Sequence, residues 1–339
     1  MPRRPRRIHR KDLKKAGITA VILVAAIAIC AILISKWENI FFQTGGGESR
    51  VIIDPIIKEP KSVTIDGVEY LQTSRIQTYL LMGIDKDGKA VPVKDGEGGG
   101  QADMQILLII DDEHETWRIL QIDRDTMVES QMLDSNGNVV STTSTQICLL
   151  HTTGTGMEDS CKNVVNGLSA FLWDQPIDGY IAMNMGGINT LNDAMGGIPV
   201  KVTTDFTAVD PTLPIGETVT LKGDQAELFV RSRMSVDDGT NVSRMARQRE
   251  YMKSFVKKFA TLDMETIVDV YDTIQDYTVT DMGSGLIEKL AEKVQNYEEL
   301  ELIQFEGVHD RSDINAKFYV DETNKQYVIL DLFYSPVFN

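Results

Sequence analysis

The sequence predicts an α/β domain whose sheet is covered on both faces, set behind a single N-terminal transmembrane helix. Three observations lead there. From about Arg75 to Asn339, short apolar runs alternate with longer stretches of helical periodicity. An uncharged segment of nineteen residues, Ala16 to Ile34, precedes them. The charge is also split along the chain. Residues 1–15 carry Arg3, Arg4, Arg6, Arg7, Arg10, Lys11, Lys14 and Lys15 against Asp12 alone, a net of plus 7. The whole chain is minus 16, so the other 324 residues sum to minus 23.

Such polarity places the two ends in different surroundings. As a helix, the apolar segment reaches roughly 28 Å, close to a bilayer's hydrocarbon thickness. A buried core helix would show a polar face, and this segment has none. The basic arm, 1–15, belongs in the cytoplasm by the positive-inside bias, which makes 16–35 an anchor and sends the remainder across the membrane. Ala26-Ile27-Ala28 resembles a signal-peptidase site, but the apolar run continues to Ile34, which favours an uncleaved anchor. Residues 36–75, with Gly45-Gly46-Gly47 and two prolines, read as an extracytoplasmic stalk.

Residues 76–339 show no internal linker and read as one domain. Strands are expected at Thr78–Gly83, Met104–Ile110, Trp117–Ile122, near Tyr180–Met183 and at Ile198–Val202. Helices are expected at Thr145–Leu150, Asp159–Leu172, Ile188–Met195, Asn241–Ala260, Glu265–Ile274 and Ser284–Gln295. Cys148 and Cys161 lie in the exported part, where they either pair or remain two small buried thiols. The glycine-rich stretch Asp95–Gly100 lacks a following Gly-Lys-Ser/Thr and is no phosphate-binding Walker loop. The external charge of minus 23 does not suit nucleic acid or anionic lipid, so an anionic ligand needs a local basic pocket.

Such a pocket has two candidate halves. If the first three strands form an antiparallel meander, Asp85, Asp103 and Asp123-Arg124-Asp125 share one sheet edge. Clustered carboxylates there read either as ordinary turn residues or as hard oxygen ligands for Mg²⁺, and the four histidines are too scattered to suggest another metal. The second half lies between Arg231 and Arg249, which holds five arginines and no lysine. Guanidinium forks bind phosphate or carboxylate oxygens in pairs. At about 100° per residue, Met245, Met252, Val256 and Phe259 define the buried stripe of this helix. Arg244, Arg247, Gln248 and Tyr251 then form a polar stripe beside it, facing a ligand, with Arg249 on the other flank.

The order of Gly83-Ile84-Asp85, Ala102-Asp103-Met104, Asp123-Arg124-Asp125-Thr126, Pro176-Ile177-Asp178-Gly179-Tyr180 and Asp193-Ala194-Met195-Gly196-Gly197-Ile198 resembles the LytR-CpsA-Psr family of envelope proteins. Leu221-Lys222-Gly223, Val230-Arg231-Ser232-Arg233 and Arg244 to Gln248 complete the match. The resemblance implies a three-layer α-β-α domain with a mixed central sheet and an apolar lipid channel. It also implies transfer of a glycan phosphate from an undecaprenyl-diphosphate carrier onto peptidoglycan, with Mg²⁺. Carried over by motif, Asp85 and Asp103 hold the metal, and Arg124, Arg231, Arg233, Arg244, Arg247 and Gln248 hold the diphosphate. Arg124, Asp125, Arg231 and Arg233 form the catalytic group, with Asp125 orienting Arg124 in preference to taking the acceptor's proton. Two other functions use the same residues: hydrolysis of the lipid diphosphate, and capture of a lipid-linked glycan without chemistry. Asp123 in place of a proline, and Gln146-Ile147-Cys148 where Lys and Asn are common, depart from the family pattern.

Overall fold

The computed structural model describes residues 61–337, apart from 74, 95–96, 233–235, 237–243, 245–246, 248–249, 252–253, 256–257, 259–260, 263–265, 267–268, 271–272, 284–285, 287–288, 291–292, 295 and 311–315. The basic arm, the proposed anchor, most of the stalk, Arg233, Gln248 and Arg249 lie outside the described residues. Among the described residues no helix is long and apolar enough to cross a membrane.

In chain order the elements are β1 (Ser62–Ile65), β2 (Val68–Gln72), β3 (Ile76–Ile84), β4 (Ala102–Asp111), β5 (Thr116–Ile122), β6 (Met127–Leu133), β7 (Val139–Gln146) and a 3₁₀ turn, Ile147–Thr152. There follow α1 (Glu158–Phe171), β8 (Gly179–Asn184), α2 (Gly187–Ala194), β9 (Ile198–Lys201), β10 (Thr218–Leu221) and α3 (Gln225–Arg231). The chain ends with β11 (Thr278–Thr280), β12 (Glu298–Glu299), β13 (Ile303–Gln304), β14 (Gly307–Asp310), β15 (Lys317–Val320), α4 (Glu322–Phe333) and β16 (Tyr334–Pro336).

The central sheet runs β11-β8-β3-β4-β5-β12, with β13 also on β5. It is mixed: β3 meets β4 antiparallel and β8 parallel, while β12 and β13 join β5 in parallel. Successive residues of a strand face opposite sides, and here both sides are apolar. Leu80, Met82, Leu107, Ile109 and Leu120 pack with Val164 and Leu168 of α1 and Ile329 and Leu332 of α4. Tyr79, Leu81, Ile106, Leu108 and Ile119 pack on the other face with Leu286, Leu290 and Val294. Near-continuous apolar strands such as Ile106–Ile110 are what such double coverage requires. A separate core joins Met195, Ile198, Val200, Phe206, Leu221 and Phe229 to Tyr251 and Phe255, and it carries α2 and α3.

Several recognised motifs prove to be joints of this frame. Asp178 Oδ2 accepts from the Thr78 amide at 2.8 Å, and Thr78 Oγ1 donates to Pro176 O, fixing the register of β3 against β8. Asp193 accepts the Gly223 amide through both oxygens, at 2.9 and 3.1 Å. Gly197 has φ +88°, and a Cβ there would stand 2.7 Å from Leu221 O, so the turn before β9 requires glycine.

Two expectations change, and one left open is settled. Thr145–Leu150 is not a helix: β7 extends to Gln146, pairing with β6, and only a 3₁₀ turn follows. Its run of Ser and Thr pairs as a strand, where β-branched residues fit. Within the expected stalk, β1 and β2 form a hairpin whose β2 pairs with the C-terminal β16. Cys148 and Cys161 are both buried and free. Cys161 Sγ instead lies 3.6 Å from His151 Nε2.

Candidate active site at one edge of the sheet

The antiparallel meander β3-β4-β5 brings the end of β3, the start of β4 and the end of β5 to one edge. There Asp85 and Asp103 both donate their amides to the carbonyl of Gln101, at 2.7 and 3.0 Å. Asp103 is the extra residue of a β-bulge: Gly83 pairs with Met104 and Ile84 with Ala102. An unpaired residue of this kind re-aims its side chain out of the ladder's alternation. The loop returning to it, Gly98 to Gln101, is pinned by His151 Nδ1 on Gly100 O at 3.1 Å and by Gly99 N on Thr152 O.

Arg124 follows β5. Its guanidinium donates to Asp103 Oδ1 and to Gln101 Oε1, and its Nε lies 3.3 Å from Asp125 Oδ1. The backbone around it is held from both sides, because Cys148 N donates to Arg124 O and Phe318 N to Asp125 O. Burial disfavours the charged guanidinium, but Cys148, Asp103 and Asp125 outweigh it and hold Arg124 further in its charged form. Burial pushes the Cys148 thiol up to about 12, so it is neutral near pH 7 and the two carboxylates are Arg124's ionic partners. Burial likewise raises the Asp125 carboxyl above its usual range, against the pull of Arg124, with Asp123 adding to the rise.

Arg231 arrives as the last residue of α3. It donates to Asp85 Oδ1 and Asp87 Oδ1, each at 2.8 Å, and to Glu227 one turn earlier. Glu227 is itself fixed to α2, accepting from Asn189 Nδ2 at 3.1 Å while its amide donates to Asn189 Oδ1. Burial works against the charge on Arg231, and Glu227, Asp87 and Asp85 raise its pKa. The structure therefore unites Asp85, Asp103, Arg124, Asp125 and Arg231 at one edge, as the sequence predicts.

The helical segment that contains Arg244, Arg247, Tyr251 and Phe255 buries residues that the sequence places on its ligand-facing side. Tyr251 and Phe255 are buried in the core beside α3, and Arg247 is 1% exposed. Its Nε donates to Phe229 O at 2.9 Å and a terminal nitrogen to Ser232 O, with the guanidinium 5.5 Å from the Phe206 ring centroid. Of the stripe read as ligand-facing, Arg247 and Tyr251 are thus buried, and Arg247 braces the end of α3 that presents Arg231. Arg244 is half-buried on the same segment.

Sequence reasoning missed Asp87, Gln101, Glu227 and Cys148 as neighbours of the arginines. Only Glu227 carried a local signal, an i to i+4 acid–arginine pair on a helix. Two of the cavities among the described residues lie away from this edge. One, about 360 Å³, touches Arg75, Asp111, Trp117 and Arg118. The other, about 760 Å³, touches Val63, Ile65, Trp173 and Tyr334. Neither adjoins Arg124 or Arg231.

Fold and site together define a class: a mixed α/β domain whose sheet edge presents two arginines crossed with two acids. The chain belongs to the LytR_cpsA_psr family, whose profile matches residues 42–330. It is 29% identical over 266 residues to the polyisoprenyl-teichoic acid–peptidoglycan teichoic acid transferase TagU of Bacillus mycoides, covering 77% of this chain and 80% of that one. Its fold matches gbs0355 of Streptococcus agalactiae with a TM-score of 0.59 at 21% identity, over 76% of this chain and 87% of that one. It also matches B. subtilis TagV with a TM-score of 0.55 at 21% identity, over 77% and 96%.

Proposed function

We propose that this protein is a membrane-anchored phosphotransferase that moves a glycopolymer phosphate from an undecaprenyl-diphosphate carrier onto a peptidoglycan hydroxyl, outside the cytoplasmic membrane. The observation that carries the reading is the crossed pairing of Arg124 with Asp103 and of Arg231 with Asp85 at one sheet edge. Family membership and the transferase named among its relatives support it.

The chemistry asks little covalent work of the protein. An acceptor oxygen attacks the phosphorus that bears the glycan, and the bond to the bridging oxygen breaks. The hydroxyl proton is lost and polyprenyl monophosphate leaves. Positioning and charge neutralisation dominate such transfers. Arg124 and Arg231 each present a planar fork, whose terminal nitrogens are shared here among Asp103, Gln101, Asp85, Asp87 and Glu227, and diphosphate oxygens can accept from such a fork in pairs. Asp125 holds the Nε side of Arg124, which leaves its two terminal nitrogens turned towards Asp103 and Gln101. Asp85 and Asp103, whose backbone amides share the Gln101 carbonyl, are the hard oxygen donors that would hold Mg²⁺, an ion that keeps several waters and takes one or two carboxylates. When bound, it supplies further neutralisation of diphosphate charge. The basic arm and the apolar segment 16–35 supply the membrane attachment in this reading.

The test incubates the full chain, in detergent, with a polyprenyl-diphosphate glycan, with and without a peptidoglycan oligomer. Glycan phosphate should appear on the acceptor, and Arg231→Ala should reduce turnover by about 10²–10³-fold, as loss of one charge-stabilising donor does. Equal release of polyprenyl phosphate without acceptor would establish a hydrolase instead. Unchanged turnover in Arg231→Ala would refute both.

A further inference from the structure

A second cluster of ligand-bearing side chains lies beside the site, at the outer face of the turn between β5 and β6. Asp123, Asp125 and His309 each place one donor atom within 4.8 Å of the others. His309 Nε2 stands 3.4 Å from Asp123 Oδ2. We propose that these three residues form a binding site for a divalent transition-metal ion of the zinc type, distinct from the Asp85 and Asp103 pair.

The geometry is built from two unconnected parts of the chain, and each ligand is held by something other than the ion. Asp123 Oδ1 accepts the Asp125 amide at 2.9 Å, which leaves Oδ2 turned to the histidine. Asp125 is tied through its carbonyl to Phe318 N at 2.8 Å and through Oδ1 to Arg124 Nε at 3.3 Å. Thr126 forms an isolated parallel bridge to Phe318, so β15 is docked directly on the turn. His309 pairs with Phe318 across the β14–β15 hairpin, and its ring lies 4.6 Å from the Phe318 ring. One aromatic residue thus fixes both the turn and the imidazole.

The donor set selects the ion. Two carboxylates alone suit Mg²⁺ or Ca²⁺, whereas adding an imidazole favours zinc, iron or nickel. Three protein ligands with water completing the shell is a common zinc arrangement. The side chains remain between about a fifth and two fifths exposed, at 35% for Asp123, 22% for Asp125 and 39% for His309, so an ion has a path in. An ion here also gathers the charge that Asp123 places beside Asp125, next to Arg124, and staples the C-terminal hairpin to the site. The assignment stands whether or not the chain transfers a glycopolymer.

Zinc binding to the full chain in detergent, with excess Mg²⁺ present to fill hard oxygen sites, provides the test. Equilibrium dialysis with elemental analysis should find one zinc per chain. His309→Gln, and separately Asp123→Asn, should weaken it more than about tenfold, the lower bound set by losses that even outer partners of metal ligands produce. Asp85→Asn should leave it intact. Co²⁺ in place of zinc should give a visible absorption band that His309→Gln removes. Zinc retained with unchanged affinity in both His309→Gln and Asp123→Asn, or lost in Asp85→Asn, would overturn the assignment.

Discussion

Replacing Arg247 by lysine separates two roles that the sequence leaves superposed. The guanidinium is 1% exposed and donates to two backbone carbonyls, of Phe229 and Ser232, from one planar fork. Lysine keeps the charge but has no fork, so at least one carbonyl at the end of α3 loses its donor. A buried carbonyl left without its partner costs about 1–3 kcal/mol. The loss of stacking on Phe206 adds about 0.5–1 kcal/mol. A total near 3 kcal/mol should lower Tm by about 6–12 °C in a domain of this size. The assay is thermal unfolding without any substrate, paired with calorimetric titration of inorganic pyrophosphate. Arg247→Lys should unfold earlier and bind pyrophosphate more weakly because Arg231 is no longer braced. An unchanged Tm together with abolished pyrophosphate binding would make Arg247 a direct ligand and refute the bracing argument.

Asp87 competes with phosphate for Arg231 from an exposed position, its side chain 78% accessible. Exposed pairs are worth about 0.2–1 kcal/mol, so Asp87→Asn should tighten pyrophosphate binding by up to about fivefold, and weaker binding in the same titration would refute the competition. Glu299, on β12 opposite Trp117, is pushed by burial from about 4.5 up to about 7. Between those values the folded state binds the proton that the unfolded state has released, so stability falls as pH rises through that window. Discounted for partial exposure, the loss is about 1–2 kcal/mol. Glu299→Gln should flatten the dependence of Tm between pH 5 and 8, and a slope equal to that of the unsubstituted protein would count against it.

What the sequence revealed of the site, and what it concealed, follows from how far each relation reaches. The three apolar runs of β3, β4 and β5 are local signals, and antiparallel order alone then sends Asp85, Asp103 and Arg124 to one edge. The strands β12 and β13 were illegible because two residues of Glu-Glu or Ile-Gln show no alternation, and only pairing with β5 makes them strands. The phase of the helix carrying Arg247 was ambiguous in a different way. Met245, Met252, Val256 and Phe259 offer one apolar stripe, Tyr251 and Phe255 another, and periodicity cannot choose between them. The core around Phe206 and Phe229 claims Tyr251 and Phe255, and it takes Arg247 with them because the end of α3 exposes two carbonyls there. His309 marks the limit most clearly. Its distance along the chain from Asp123 and Asp125 makes it look like one of four scattered histidines, and no local pattern links them. The link is a hairpin whose Phe318 meets the imidazole on one strand partner and the Asp125 carbonyl on the other. A site assembled by such a contact is invisible to spacing but fully determined by topology, which is why the zinc titration of His309→Gln tests the fold as directly as it tests the ligand.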